Sequence, residues 1–466
     1  MHIMTLCVDH SSLLCLTDAR LAPDLHRIRA RTEPTASDLT VRCPRTKRRI
    51  FLSLAVTAQL ASDRMRRQAQ TPGAPLYLSY ACGGTRPAGR LAPSYRPLRH
   101  VTIARGGRLR RRDAEGTMSD PVTQPASAAP KRLSFLAFVE HTRVSMNRSL
   151  GLQEGLELFE YAEDLGYDTG YVRHRHLETY LSSPFTFLAA VSQRVKRIRV
   201  GTSVTPLRFE QPVRLAEDAA TLDLLADGRL ELGLSSGYAA TESTFAQAFG
   251  KIDGDDVRAL VDARLDTFLA AVEGKTVATA ESDLSFAKAG EELTVHPHSP
   301  GLRERVAYGA GGGSSARKTG QRGLRLQLST LNTEIGDLGF ESTQAAYIRD
   351  YRGEHAKVSD SPSFASVSRA IVPFSTPAER AELEWLLERD AERAANVGGG
   401  PLPFQFGRVA HGTCEQIAEA LSDDAGIKAA DELVIALPFD YPAETQRRIL
   451  RQFAEDAAPH LPYLGR

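Results

Sequence analysis

Glycine and hydroxyl residues gather in the stretch "YGAGGGSSARK", residues 308–318, just before a run that is typical of a helix's first turns. Glycine lets a backbone approach a ligand closely or take a positive φ, and the first amides of a helix lack acceptors within it. Gly312, Gly313, Ser314 and Ser315 therefore offer the donors that a phosphate group needs. A surface turn capped by serine has the same composition, so this stretch alone leaves both interpretations open.

A second turn of similar composition follows the apolar run "RLELGL". Ser235, Ser236 and Gly237 close this run and again combine hydroxyl groups with a glycine. If the two turns are neighbours in the fold, their donors converge on one anion, which favours the phosphate interpretation.

Two histidines in "RHRHLETY", residues 173–180, are candidates for proton transfer. His174 and His176 are separated by one residue and so point to the same side of an extended segment. An imidazole that titrates near pH ~6.5 can give or take a proton under working conditions. A packed or solvent-bridged pair is the alternative. The histidines of "HPHSP", residues 296–300, have no cysteine or acidic partner at ligand spacing, so no metal site is predicted.

From Leu133 onward, short apolar strands alternate with amphipathic helices, and eight such pairs can be assigned. Strict alternation predicts a parallel sheet, and eight units favour a closed (β/α)8 TIM barrel with loop insertions over residues 131–466; an open doubly wound sheet is the alternative. A barrel binds ligands at the C-terminal ends of its strands, where all three motifs fall. The longer segments 273–304 and 396–408 are expected to cover this face.

The first 117 residues differ in charge from the rest of the chain. They contain 20 Arg, 1 Lys and 8 acidic residues, whereas the whole chain has a net charge of only +1. No periodic pattern accompanies this charge, so we expect residues 1–117 to be a disordered extension or to lie upstream of the native start at Met118, with residues 118–130 as a linker. A tail with a function of its own and a folded domain are the alternatives. Neither nucleic-acid binding nor a transit peptide is favoured.

The distribution of cysteines and the hydropathy of the chain indicate the cellular compartment. Four of the five cysteines precede residue 118 in no disulfide or zinc spacing, which leaves Cys414 alone in the barrel region. The longest apolar run of the extension, "IFLSLAVTAQLA", is shorter than the ~18 residues that a membrane span needs. We therefore expect a cytoplasmic protein with no membrane segment.

Several of these stretches, in this order, resemble the luciferase-like flavin-dependent monooxygenases, a family of eight-stranded barrels. The most specific part is "PVRLAEDAATLDLLADGRLELGLSSG", residues 212–237, within a similarity that runs from Arg132 to Leu461. The resemblance implies that FMN binds in its reduced form, with its phosphate near Ser235, Ser236, Gly237, Gly312, Gly313, Ser314 and Ser315. It also implies that the flavin ring rests against strand ends that include Thr202 and Ser203.

The family further implies a two-component reaction. A separate flavin reductase would deliver reduced FMN, and the enzyme would use O2 to oxygenate a small organic substrate, with His174 and His176 serving the oxygen chemistry. Arg173 stands where the family usually has an acid. A homodimer is also implied. Two alternatives stay open: a deazaflavin-dependent oxidoreductase of the same fold, which transfers a hydride, and a barrel that binds flavin without turnover.

Overall fold

The computed structural model describes residues 131–465 except 238–241, 251–255, 335–337 and 396–403, together with five short strands between Thr5 and Ser79. The chain divides into two compact units, Met1–Met118 and Ser119–Arg466. The strands of the first unit are antiparallel: Thr5–Val8, Leu14–Thr17, Asp38–Arg42, Arg49–Ser53 and Tyr77–Ser79. The expected disordered extension and linker lie mostly outside the described residues and stay predictions.

The second unit is a closed barrel of eight parallel strands, as predicted. Each strand pairs with the next along the chain and the eighth pairs with the first, which excludes the open sheet. The strands are β1 Arg132–Ala137, β2 Thr169–Val172, β3 Arg199–Pro206, β4 Leu230–Ser235, β5 Val306–Ala310, β6 Arg325–Leu328, β7 Ala365–Arg369 and β8 Glu432–Ala436.

The described helices of this unit pack around the barrel. They are α1 Leu150–Asp164, α2 Pro184–Arg194, α3 Pro212–Leu225, α4 Glu242–Phe249, α5 Val257–Val272, α6 Gly313–Gln321, α7 Phe340–His355, α8 Pro377–Glu382, α9 Glu384–Ala395, α10 Cys414–Ser422, α11 Ala425–Ala429 and α12 Ala443–Gln452. Among the described residues, no helix is long and apolar enough to span a membrane.

Helix α3 shows how local sequence determines an element. Pro212 occupies its first turn, where a backbone N–H would have no acceptor within the helix, so the missing N–H of proline costs nothing. The Gln211 side chain accepts a hydrogen bond from the Arg214 amide at 2.6 Å. The helix ends before Gly228, whose φ of +74° suits glycine. Its buried face includes Leu215, Ala219 and Leu222, as the periodicity predicts.

Ion pairs fill the N-terminal end of the barrel, opposite the expected ligand face. Glu231 is 3% exposed and pairs with Arg132 at 3.1 Å, Arg199 at 3.3 Å and also Arg325, all from strand beginnings. Arg229, which precedes β4, donates instead to the Ile198 carbonyl at 2.7 Å. A residue outside the strand cannot follow the strand's side-chain alternation.

The two longer segments lie at different places. Residues 273–304 connect α5 to the beginning of β5, so they lie at the N-terminal end of the barrel, where Ser299 donates to Asp223 at 2.6 Å. The expectation that this segment covers the ligand face is wrong, because it follows a helix and precedes a strand. Gln405–Phe406 pairs with Leu331–Asn332, just beyond the C-terminal end of β6. The described part of the second segment therefore lies on the expected face.

Candidate cofactor-binding site

A cleft of about 460 Å³ lies at the C-terminal ends of β4 and β5. Five of the predicted cofactor residues line it: Ser236, Gly237, Gly312, Ser314 and Ser315. The structure thus brings the two glycine–serine turns together, as their positions after neighbouring strands predict.

The N-terminus of α6 points donors into this cleft. Gly312 is the residue before the helix, and the first intrahelical bond runs from the Ala316 amide to the Gly312 carbonyl at 3.0 Å. The amides of Ser314 and Ser315 precede that bond and so have no acceptor within the helix. Together with the serine hydroxyl groups, they form an anion-binding helix terminus.

The glycines of this turn leave space for the side chains of the loop after β6. The expectation that they adopt a positive φ is wrong. Gly312 has a φ of −155°, which any residue can adopt. A Cβ on Gly311 would approach Thr333 Cγ2 to 2.7 Å, and one on Gly312 would overlap the Glu334 carboxylate. The backbone is therefore closely covered by the loop after β6, which leaves no room for side chains.

The turn after β4 is held by a buried arginine that the sequence did not reveal. Arg208 is 4% exposed and its Nε donates to the Ser236 carbonyl at 2.8 Å. Gly237 has a φ of +74°, and its amide donates to Ser235 Oγ at 3.3 Å. Ser235 thus shapes the turn, while Ser236 and Gly237 line the cleft.

Charged side chains from several parts of the chain surround the cleft. Arg208, Arg258, Lys318 and Arg322 line it together with two acidic residues, Asp262 and Glu334. Asp262 pairs with Arg322 at 3.4 Å and with Lys318 at 3.8 Å. Asp266, outside the lining, also pairs with Arg322 at 3.2 Å. The four cations still exceed the three carboxylates, which favours an anionic ligand.

Glu334 places a carboxylate at the helix terminus itself. Its Oε2 accepts from the Gly313 amide at 3.0 Å and from the Tyr347 hydroxyl at 3.1 Å. Burial, then the Glu334 charge, raises the pKa of Tyr347 to about 12. Gly313 itself therefore donates to a side chain of this protein, and the position attracts negative charge.

Thr202 and Ser203, which the resemblance placed near the flavin ring, lie in β3 outside the lining of this cleft. The Thr202 hydroxyl is buried and donates to the Gly233 carbonyl at 2.8 Å. Nearby strand ends carry buried polar atoms: Thr205 Oγ1 and Gln327 Oε1 have no hydrogen-bond partner among the described residues. Polar atoms of this kind fit the heteroatom edge of a ring ligand.

His174 and His176 lie together in a second cleft, of about 480 Å³, beside α2 and α3. Their ring centroids are 4.4 Å apart. Burial, followed by the neighbouring His176, lowers the pKa of His174 to about 3, and burial lowers the pKa of His176 as well. Burial therefore favours the neutral form of both rings, and the predicted role of the pair in proton transfer stays a prediction.

Sequence reasoning missed the side chains that come from distant segments. Arg208, Arg258, Tyr308 and Glu334 line the first cleft, and Glu210 lines the second. Tyr308 begins the glycine stretch and could have been included; burial raises the pKa of its phenol. The others carry no local signal, since they belong to loops and helix starts that only the closed barrel brings together.

The chain is similar to several known proteins. The sequence profile described as luciferase-like monooxygenase matches residues 132–431. The 4-hydroxyprotoasukamycin monooxygenase of Streptomyces nodosus subsp. asukaensis is 31% identical over 156 residues, which is 33% of this chain and 41% of that protein. The F420-dependent glucose-6-phosphate dehydrogenase of Amycolatopsis mediterranei is 37% identical over 95 residues, 18% of this chain and 28% of that protein. The alignments thus span less than half of these curated relatives.

A solved structure has the same fold. The monooxygenase RslO1 of Streptomyces bottropensis superposes with a TM-score of 0.53 and 20% sequence identity, over 71% of this chain and 99% of that one. At this identity the likeness concerns the barrel alone.

Proposed function

Because the chain belongs to the family of luciferase-like monooxygenases, we propose that it is the oxygenase of a two-component system, which uses reduced FMN and O2 to oxygenate a small organic substrate. A separate flavin reductase supplies the reduced cofactor in this proposal. Relatives in the family include both flavin-dependent monooxygenases and F420-dependent oxidoreductases, so the family itself covers either cofactor.

The cleft between β4 and β5 is the observation that carries this proposal. A phosphate dianion fits a site that combines free helix-terminal amides, serine hydroxyl groups and four basic side chains. Ser236, Gly237, Gly312, Ser314 and Ser315 would hold the FMN phosphate there.

The strand ends beside the cleft would receive the flavin ring. Ser203, Thr205 and Gln327 lie toward the C-terminal ends of β3 and β6, and the last two bring unpartnered buried oxygen atoms. Bound FMN supplies the activation of O2 in this family, and the protein supplies position and a site from which water is excluded.

His174 and His176 would hold a proton for that chemistry. A neutral imidazole donates a hydrogen bond from one nitrogen and accepts one at the other, so each ring can pass a proton without carrying charge at rest. The pair lines a different cleft from the phosphate residues, so its proposed role requires the reactive part of the ligands to extend toward β2. The homodimer and the cytoplasmic location implied earlier stay predictions.

A deazaflavin-dependent hydride transfer is the second candidate, favoured by the 37% identity to an F420-dependent dehydrogenase. A titration of the purified chain with reduced FMN and with reduced F420, followed by measurement of O2 uptake, separates the two. The proposal expects tighter binding of reduced FMN and O2 consumption with it. Binding of reduced F420 alone, with no O2 uptake, would establish the alternative, and tight retention of FMN without O2 uptake would indicate a non-catalytic barrel.

A further inference from the structure

The cleft beside α2 and α3 contains a group of ligand atoms that the proposed flavin chemistry does not explain. Ring nitrogens of His174 and His176 and a carboxylate oxygen of Glu210 all lie within 4.8 Å of one another. Glu210 directly follows the short helix Leu207–Phe209 at the end of β3, so two neighbouring strands of the barrel contribute the group.

The histidine nitrogens lack partners. His174 is 5% exposed, and neither of its ring nitrogens has a hydrogen-bond partner among the described residues, although the Ser182 main chain is close enough to raise its pKa slightly against the effect of burial. Nε2 of His176 is also buried and unpartnered. Buried polar atoms without partners are uncommon and usually mark a place for a bound ion or ligand.

The charge of the group also suits a cation. Asp218 lines the same cleft as Glu210, so a second carboxylate contributes negative charge near the group. Arg214 pairs with Asp218 at 2.8 Å and with Glu217 at 3.0 Å, so its charge is already matched. Imidazole binds a metal ion through a ring-nitrogen lone pair, which matches the unpartnered nitrogens of this pair.

We propose that His174, His176 and Glu210 bind one divalent transition-metal ion of the zinc class, with a fourth position open to the cleft. Two imidazole nitrogens and one carboxylate oxygen favour Zn²⁺, Co²⁺ or Ni²⁺ over Mg²⁺ and Ca²⁺, which prefer oxygen ligands. Ligand atoms around tetrahedral zinc are about 3.4 Å apart. The candidate ligand atoms lie within 4.8 Å of one another, so side-chain movements that shorten these distances by up to about 1.4 Å would complete the site.

Occupancy of this site has a consequence for the histidines. A bound metal uses an imidazole lone pair on each ring, so neither residue can then accept a proton at that nitrogen. Metal binding and the proton role are therefore alternative states of the pair. The metal site stands on the geometry of these three residues and does not depend on flavin binding.

The test is a Co²⁺ titration of the full chain after treatment with a chelator, followed by visible absorption and equilibrium dialysis. We expect an absorption band from one bound Co²⁺ per chain, lost when Zn²⁺ displaces it and unaffected by Mg²⁺. His176→Ala and Glu210→Gln should each weaken binding by at least about 100-fold, more than the roughly 10- to 100-fold effect of residues behind a ligand.

The control is His460→Ala, which removes an exposed histidine and should leave the band unchanged. Glu210→Gln keeps the shape of its side chain, so it tests the site even if the histidine variant does not fold. The absence of the band in the unaltered chain, or its persistence at full strength in Glu210→Gln, would overturn the proposal. FMN affinity, measured on the same samples, reports separately on the other cleft.

Discussion

At the scale of single residues, the Glu334 carboxylate occupies part of the cleft at the ends of β4 and β5 where a phosphate is proposed to bind. The Glu334 carboxylate accepts from the Gly313 amide, the same helix terminus that would hold a phosphate. A carboxylate there stabilises the helix dipole in the absence of a ligand but opposes a second negative charge. The Glu334 charge is therefore expected to weaken the binding of a phosphate at this site.

The first prediction concerns this carboxylate. Glu334→Gln should strengthen FMN binding about fivefold to tenfold, or about 1 kcal/mol, because a like charge beside the phosphate is removed. The measurement is quenching of FMN fluorescence in a titration with protein. Glu388→Gln, an exposed change of the same kind on α9, should have no effect. A weaker affinity in Glu334→Gln would mean that the carboxylate supports the site rather than competes for it.

The second prediction concerns the histidine pair. His174→Ala and His176→Ala should still bind reduced FMN and consume O2, while at least one releases more hydrogen peroxide and oxygenates less substrate. Proton assistance is typically worth about 10²- to 10⁴-fold in rate, so the loss should be large. The ratio of product to hydrogen peroxide is the measurement. If both variants keep the ratio of the unaltered protein, the proton role belongs to other residues.

At the scale of elements, the glycines inside the barrel strands determine how closely neighbouring strands and side chains pack. Gly201 in β3 faces the Glu231 carbonyl and the Tyr171 ring, and an added Cβ would overlap that carbonyl and lie 2.9 Å from Tyr171 Cδ1. Gly353 in α7 has no atom within 4 Å of the position of a Cβ. The same substitution should therefore have opposite effects at these two positions.

The third prediction uses this contrast. Gly201→Ala should lower the free energy of unfolding by about 2 kcal/mol or more, because the backbone must move to admit the methyl group. Gly353→Ala should raise it by up to about 1 kcal/mol, since alanine is the better helix former. Urea denaturation measures both. Equal stabilities of the two variants would contradict the packing described for β3 and β4.

Most of the elements could be predicted from the sequence, because strand and helix periodicities are local. All eight barrel strands and the order of their turns follow from apolar runs and from glycine and proline positions. The pairing of Glu231, the place of residues 273–304 and the approach of Glu334 to Gly313 could not be predicted. Each of these depends on contacts between segments far apart in the chain, which no local pattern encodes.

At the scale of the whole molecule, the division at Met118 and Ser119 agrees with the change in charge along the sequence. The barrel closes on itself through β8 and β1, so its core does not require a strand from the first unit. The second unit has its own buried core, which includes Leu133, Phe135, Leu232 and Leu433. We therefore expect the barrel to fold alone.

The fourth prediction follows from that independence. A chain that begins at Met118 should keep the urea midpoint of the barrel transition and the FMN affinity of the full chain. Circular dichroism and the fluorescence titration measure these two properties. A truncated chain that fails to fold, or that loses FMN binding, would show that residues 1–117 are part of the functional protein.

If the cleft at the ends of β4 and β5 holds the FMN phosphate, a carboxylate introduced there should weaken the binding of FMN. Gly312 is the N-cap residue of α6, a position that aspartate favours, so Gly312→Asp should leave the helix intact. The substitution brings a second carboxylate into the cleft beside Glu334. FMN binding should weaken by at least ~2 kcal/mol, about 30-fold, while Gly353→Asp, which adds the same charge at an exposed helical glycine, should bind FMN normally. Unchanged FMN affinity in a folded Gly312→Asp variant would show that the FMN phosphate does not bind at this turn, and that the glycine stretch serves only as a turn between β5 and α6.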